Sequence, residues 1–204
     1  MTEHIDFPNG PSACSDSPHI HLVIHDSIHL VKREDWDPLA QQGGLYLQFD
    51  YLRVLEKEMT GSMEFRYVTY YCDNYEPLGI AYFQVVDLID NGSKYRDAVA
   101  KMGAGLGARI VKEMKLRSLV CGNVFHCGDN GYFCTDKVKE SEAILAIEST
   151  MERLKHGGRL DTKVSIVLFK EFWPHQFEDA KILTDKKFHK FPMDVNMVMD
   201  VRPE

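Results

Sequence analysis

Apolar and polar positions along the chain fall into short alternating runs and amphipathic stripes. His19 to Ile24 alternates as His-Ile-His-Leu-Val-Ile, and Ile28 to Arg33 is a second short apolar run; both read as strands. Glu34 to Gln41 reads as a short helix that Gln42-Gly43-Gly44 stops. Leu45, Phe49, Leu52, Leu55 and Met59 then recur at helical spacing, one buried stripe closed by Gly61. Glu64 to Cys72 is a β-branched and aromatic strand. Past Asp73-Asn74 and Pro77, Leu78 to Ile89 is a long strand, so the two pair as a hairpin.

Asn91-Gly92-Ser93 breaks the sheet, and Leu106, Ile110 and Met114 mark a helical stripe. Leu119 to Phe125 reads as a buried strand running into the glycine-rich loop Cys127-Gly128-Asp129-Asn130-Gly131. Thr135 or Asp136 caps the clearest helix, whose stripe is Ile144, Ile147, Met151 and Leu154 and whose stop is Gly157-Gly158. Val164 to Phe169 is a strand, Pro174 to Leu183 a short helix, and Met193 to Val201 a final alternating strand. This order predicts an α/β chain with a mixed sheet, because a direct hairpin cannot belong to a purely parallel one.

The 204 residues, 44% hydrophobic, suffice for one domain with a sizeable core. Residues 1–18, polar and rich in Pro, Gly, Ser and Asp, read as a disordered leader, and 19–204 as the domain. The longest weakly charged apolar run, Leu78 to Val86, is far short of the roughly 20 residues a spanning helix needs. The N-terminus lacks the basic and apolar regions of a signal peptide, so a cytoplasmic protein without a membrane span is expected.

The net charge of -7 argues against a general nucleic-acid binder, which needs positive charge to displace counterions. Between Lys94 and Arg117 the balance reverses: Lys94, Arg96, Lys101, Arg109, Lys112, Lys115 and Arg117 face only Asp97 and Glu113. A basic patch in an acidic chain suits a small anionic ligand better than a polymer. Within it, Gly103, Gly105 and Gly107 enter a helix, where free backbone N–H groups and the helix dipole attract anions, with Lys101 and Arg109 as electrostatic support. The same glycines equally serve a tight turn or close helix packing, and they match neither the dinucleotide fingerprint nor a P-loop.

The second candidate is Cys121 to Gly131, where a strand opens into a flexible loop. There His126 is a candidate general base with Asp129 as its orienter. Cys14, Cys72, Cys121, Cys127 and Cys134 read as reduced thiols. The C-x5-C-x6-C spacing of the last three matches no paired zinc knuckle, so no metal is expected. His19, His21, His25 and His29 read as polar positions of strands rather than ligands.

Phe49-Asp50-Tyr51-Leu52-Arg53-Val54-Leu55-Glu56, Leu78-Gly79-Ile80-Ala81-Tyr82-Phe83-Gln84 and Leu119-Val120-Cys121-Gly122-Asn123 resemble bacterial GNAT-like N-acyltransferases related to the Fem-type peptidoglycan aminoacyl transferases. The resemblance covers most of residues 27–201. It implies a GNAT-like α/β fold, a mixed central sheet flanked by helices, and transfer of an acyl or aminoacyl group from an acyl-CoA-like donor to an amine. It further implies that Gly103, Gly105, Gly107, Lys101 and Arg109 hold the donor and that His126 or Tyr132 is the acid/base. The family's Gln/Arg-x-x-Gly-x-Gly/Ala motif has its leading polar position filled here by Ala100 or Met102, depending on which glycines match. Proteins of this group are usually longer, which implies a second domain and, as an alternative, a non-catalytic scaffold or acceptor-binding half.

Overall fold

A computed structural model describes residues 2–4, 20–87, 117–125, 131–158, 160, 163–170 and 172–190. The first strands are β1 (Thr2–His4) and β2 (His21–His25). Helices α1 (Arg33–Gly43) and α2 (Phe49–Met59) precede the long hairpin β3 (Met63–Tyr71) and β4 (Pro77–Asp87). Then come β5 (Arg117–Cys121), β6 (Tyr132–Cys134), α3 (Glu140–His156), β7 (Ile166–Phe169) and two single turns, α4 (Phe177–Ala180) and α5 (Ile182–Asp185).

The strands form one sheet in the order β1-β2-β3-β4-β5-β7, with β6 also on β4. All pairings are antiparallel except β5 with β7, which run parallel. Helices cover both faces. On one, α1 and α2 bury Trp36, Leu39 and Leu52 against Phe65, Tyr67, Ile80 and Tyr82. On the other, α3 lays Ala143, Ile147, Met151 and Leu154 over Val68, Tyr70, Phe83 and Leu119. Each large apolar side chain buried this way contributes about 1.5–3 kcal/mol. The fold class is thus the expected one: α/β, a mixed and mostly antiparallel sheet flanked by helices.

Several elements differ from expectation for local reasons. Ile28–Leu30 is a 3-10 turn, not a strand. Glu56 on α2 captures the segment: its carboxylate accepts from the Ser27 hydroxyl (2.6 Å) and the Ile28 N–H (2.9 Å). The stripe starting at Leu45 splits, since Leu45–Leu47 is a separate 3-10 turn whose Leu47 carbonyl accepts from the Trp36 indole at 2.8 Å. The long helix begins at Glu140, not beside Thr135 or Asp136, because the Thr135 N–H is still bonded to the Leu78 carbonyl of the sheet (2.8 Å).

The expected helix from Pro174 to Leu183 is a 3-10 turn, Pro174–Gln176, followed by the single turns α4 and α5. Within the expected leader, Thr2–His4 pair antiparallel with β2, and the remainder lies outside the described residues. The stripe at 106–114 and the final strand at 193–201 also lie outside them.

Candidate functional site

One edge of β4 is shared by two strands, and the break between them builds the site. β5 pairs along the second half of β4, ending with Cys121 opposite Phe83. β6 pairs along the first half, starting with Tyr132 opposite Ala81. β5 therefore ends and β6 begins at neighbouring positions of the same edge. The Gly131 carbonyl accepts from the Tyr82 N–H at 2.9 Å and holds this join.

Two glycines make the neck. Gly122 has φ +122°, a conformation that side-chain-bearing residues rarely adopt. A Cβ on Gly131 would lie 2.3 Å from the Gly122 nitrogen and 2.5 Å from its Cα. The strand that sequence reading runs on to Phe125 thus ends at Cys121, and the loop begins at Gly122.

On the α2 face, just past Gly122, Asn123 is the hub of a polar cluster. Its side-chain amide donates to the Tyr51 hydroxyl at 2.6 Å, and its carbonyl accepts from the Lys170 ammonium at 2.6 Å. The Val124 N–H donates to Gln84 Oε1 at 2.9 Å. Asn123 is 1% exposed, Gln84 0% and Lys170 5%. The Gln84 Nε2 has no hydrogen-bond partner among the described residues, which leaves one buried donor free at this spot. Tyr46 packs edge-on against Tyr51, with ring centres 5.2 Å apart.

On the α3 face, just past Gly131, Tyr132 heads a second cluster. Its hydroxyl donates to Glu140 Oε1 at 2.6 Å, and Gln176 Nε2 donates to the same oxygen at 2.8 Å. Gln176 is itself held by the Trp173 N–H, which donates to its Oε1 at 3.0 Å. Phe169, at the end of β7, stands edge-on to the Tyr132 ring, and Phe172 packs on Phe169. Burial pushes the Tyr132 hydroxyl far above the usual phenol range, and its bond to Glu140 adds to the shift. The phenol stays protonated and acts through its hydrogen bonds. Burial likewise raises Cys121, and Cys134 to about 12, so neither is a ready nucleophile.

Of the residues singled out from sequence, the structure describes Tyr132 and brings it to this neck. Lys101, Gly103, Gly105, Gly107, Arg109 and His126 lie outside the described residues. Arg117, the last member of the basic segment, is held in ion pairs with Asp87 (3.0 Å) and with Glu64. Of the clustered histidines, His21 bonds Asp73 at 2.8 Å, and among the described residues no three His, Cys, Asp or Glu side chains converge on a metal-sized site. Nor is any described helix long and apolar enough to cross a membrane.

Sequence reading missed Tyr51, Gln84, Glu140, Lys170 and Gln176 as site residues. The available signal was a polar side chain inside an apolar strand, as at Gln84 between Phe83 and Val85.

No protein-family model matches the chain, and no curated protein matches it by sequence. Among solved structures it is similar to an aminoglycoside N-acetyltransferase in complex with CoA, at 10% identity and TM-score 0.47, covering 93% of this chain and 100% of that one. An aminoglycoside 6'-N-acetyltransferase from Acinetobacter baumannii is similar at 10% identity and TM-score 0.47, covering 89% and 99%. A tetramutant of the BH1408 protein from Bacillus halodurans is similar at 5% identity and TM-score 0.48, covering 87% and 99%.

Proposed function

We propose that this chain is an N-acyltransferase-like domain that moves an acyl group from an acyl-CoA-like thioester to the amine of a small molecule. The supporting observation is the placement of two buried polar clusters on opposite faces of one break in the β4 edge. Tyr132, Glu140 and Gln176 lie on one face, and Tyr51, Asn123, Gln84 and Lys170 on the other, joined at the Gly122–Gly131 neck. A two-substrate transfer needs two ligands to meet at one point, and a break in a sheet edge with polar groups on both sides offers that meeting. The GNAT-like resemblance of the segments carrying Tyr51, Gln84 and Asn123 supports the same reaction class.

In this reading the amine nitrogen attacks the thioester carbon, a C–N bond forms and the C–S bond breaks with departure of the thiolate. The protein orients both partners and manages the proton that the amine nitrogen must lose. The Gln84 Nε2 supplies a buried donor for the oxygen of the acyl group. Gly103, Gly105, Gly107, Lys101 and Arg109 take the donor's phosphates, and His126 or Tyr132 serves the proton transfer. No covalent enzyme intermediate is needed. A thermal-shift titration with acetyl-CoA tests donor binding: the melting temperature rises with concentration if the reading holds. An unchanged melting temperature at millimolar acetyl-CoA overturns it.

A further inference from the structure

Tyr132 is the hydrogen donor in a bond to a carboxylate, and that direction constrains what it can do. A hydroxyl already giving its hydrogen to Glu140 can accept a proton from a ligand only if its own hydrogen moves on to the carboxylate. The parts of such a path are in place: Tyr132 is 7% exposed and bonds Glu140 at 2.6 Å, while Glu140, only part-buried, retains access to water. Gln176 Nε2 holds the accepting oxygen at 2.8 Å and stands 3.5 Å from the Tyr132 hydroxyl, keeping the carboxylate turned inward. A surface carboxylate whose only task was to begin a helix would need neither partner.

We propose that Glu140 is the proton acceptor of this site, reached through the Tyr132 hydroxyl, with Gln176 as a positioning residue that aims the carboxylate. The inference rests on the acyl-transfer reading above. As the C–N bond forms, the ammonium nitrogen passes its proton to the Tyr132 oxygen while the Tyr132 hydrogen passes to the Glu140 carboxylate. Glu140 then releases the proton to solvent, and the phenol ends as it began. No free phenolate forms, which agrees with the strong preference of the buried Tyr132 for its protonated form.

The groups facing this carboxylate are Tyr132 and Cys134 of β6, with Cys121 of β5 beside Tyr132. Lys139 and Glu142 sit on the carboxylate's own turn, and His175, beside Gln176, is exposed. Burial raises both thiols, so neither changes charge in the acid range.

The test is a kcat–pH profile for acetyl transfer from acetyl-CoA to a primary amine, run on the wild type, Tyr132→Phe, Glu140→Gln, Glu140→Asp and the double variant Tyr132→Phe with Glu140→Gln. Melting temperatures recorded in parallel identify the folded variants. The relay predicts that Tyr132→Phe and Glu140→Gln each lower kcat by about 100-fold or more at unchanged KM for acetyl-CoA. The double variant is no worse than either single one, because both break one path. Glu140→Asp, which keeps a carboxylate on a side chain one methylene shorter, retains partial activity. The amine's own ionisation is common to all five proteins and cancels in the comparison. Folded Glu140→Gln with wild-type kcat and pH profile overturns the relay while leaving acyl transfer standing. A wild type that transfers nothing overturns the acyl-transfer reading, and the relay with it.

Discussion

Replacing Gly131 with alanine tests whether the neck of the 122–131 loop is a built contact. The new methyl group would sit 2.3 Å from the Gly122 nitrogen and 2.5 Å from its Cα, where about 3.4 Å or more is ordinary contact. Both neighbours are backbone, so no rotamer change relieves the clash and the two chain segments must separate by roughly an ångström. Overpacking of this kind costs about 1–3 kcal/mol. Separation also stretches the bond from the Tyr82 N–H to the Gly131 carbonyl, now 2.9 Å, at about 1 kcal/mol.

The expected loss is about 2–4 kcal/mol, or roughly 5–15 °C in melting temperature for a chain of this size. Urea unfolding followed by circular dichroism measures it, with Gly61→Ala as the control. Gly61 has φ +85° but nothing within 4 Å of the added Cβ, so only backbone strain of about 1–2 kcal/mol applies there. Gly131→Ala that unfolds within about 0.5 kcal/mol of the wild type would refute the closed neck.

Three further outcomes follow from the same packing. Trp36→Phe leaves the Leu47 carbonyl without its 2.8 Å indole donor inside the α1–α2 core, and urea unfolding should show a loss of about 1–3 kcal/mol. Among the described cysteines, Cys72 should react first with iodoacetamide at pH 8 and Cys121 last, read by peptide mass spectrometry, since burial holds the Cys121 thiol protonated. Burial lowers the pKa of His25 in the fold, so the unfolded chain binds that proton more readily. Stability at His25 is therefore fully present above pH 6.5 and declines as pH falls below it. His25→Gln should show a smaller decline between pH 7 and pH 5 in thermal melts.

Regular elements were legible where one periodicity ran without competition. The β3–β4 hairpin follows from two long apolar runs around a turn, and α2 from Phe49, Leu52, Leu55 and Met59, all at helical spacing. The α3 stripe identified the buried face, although its start was displaced because Thr135 stays bonded to the sheet. Elements decided by long-range contacts were not legible. Ile28–Leu30 has the apolar content of a strand, yet the Glu56 carboxylate, 28 positions away, fixes it as a turn. β6 is only three residues long and exists because the edge of β4 is vacant beyond Cys121.

The candidate site shows the same division. The segment Cys121 to Gly131 could be singled out from sequence, since glycines and a strand end are local signals, and Tyr132 entered through the family resemblance. Glu140 and Gln176 could not. One reads as a helix-opening acid and the other as a polar turn residue, until the fold brings both onto the Tyr132 hydroxyl. Tyr51 and Asn123 likewise meet across 72 positions of sequence.

The most direct test of the acyl-transfer proposal is product detection. Purified protein is incubated with acetyl-CoA and a panel of primary amines, and the mixture is read by mass spectrometry beside the Tyr132→Phe variant. The account predicts an acetylated amine and an equal amount of free CoA with the wild type, both falling about 100-fold in the folded variant. No acetylated amine from the wild type at any pH from 6 to 9 would contradict it, whereas acetylation at equal rates by both proteins would leave acyl transfer standing and remove Tyr132 from the reaction.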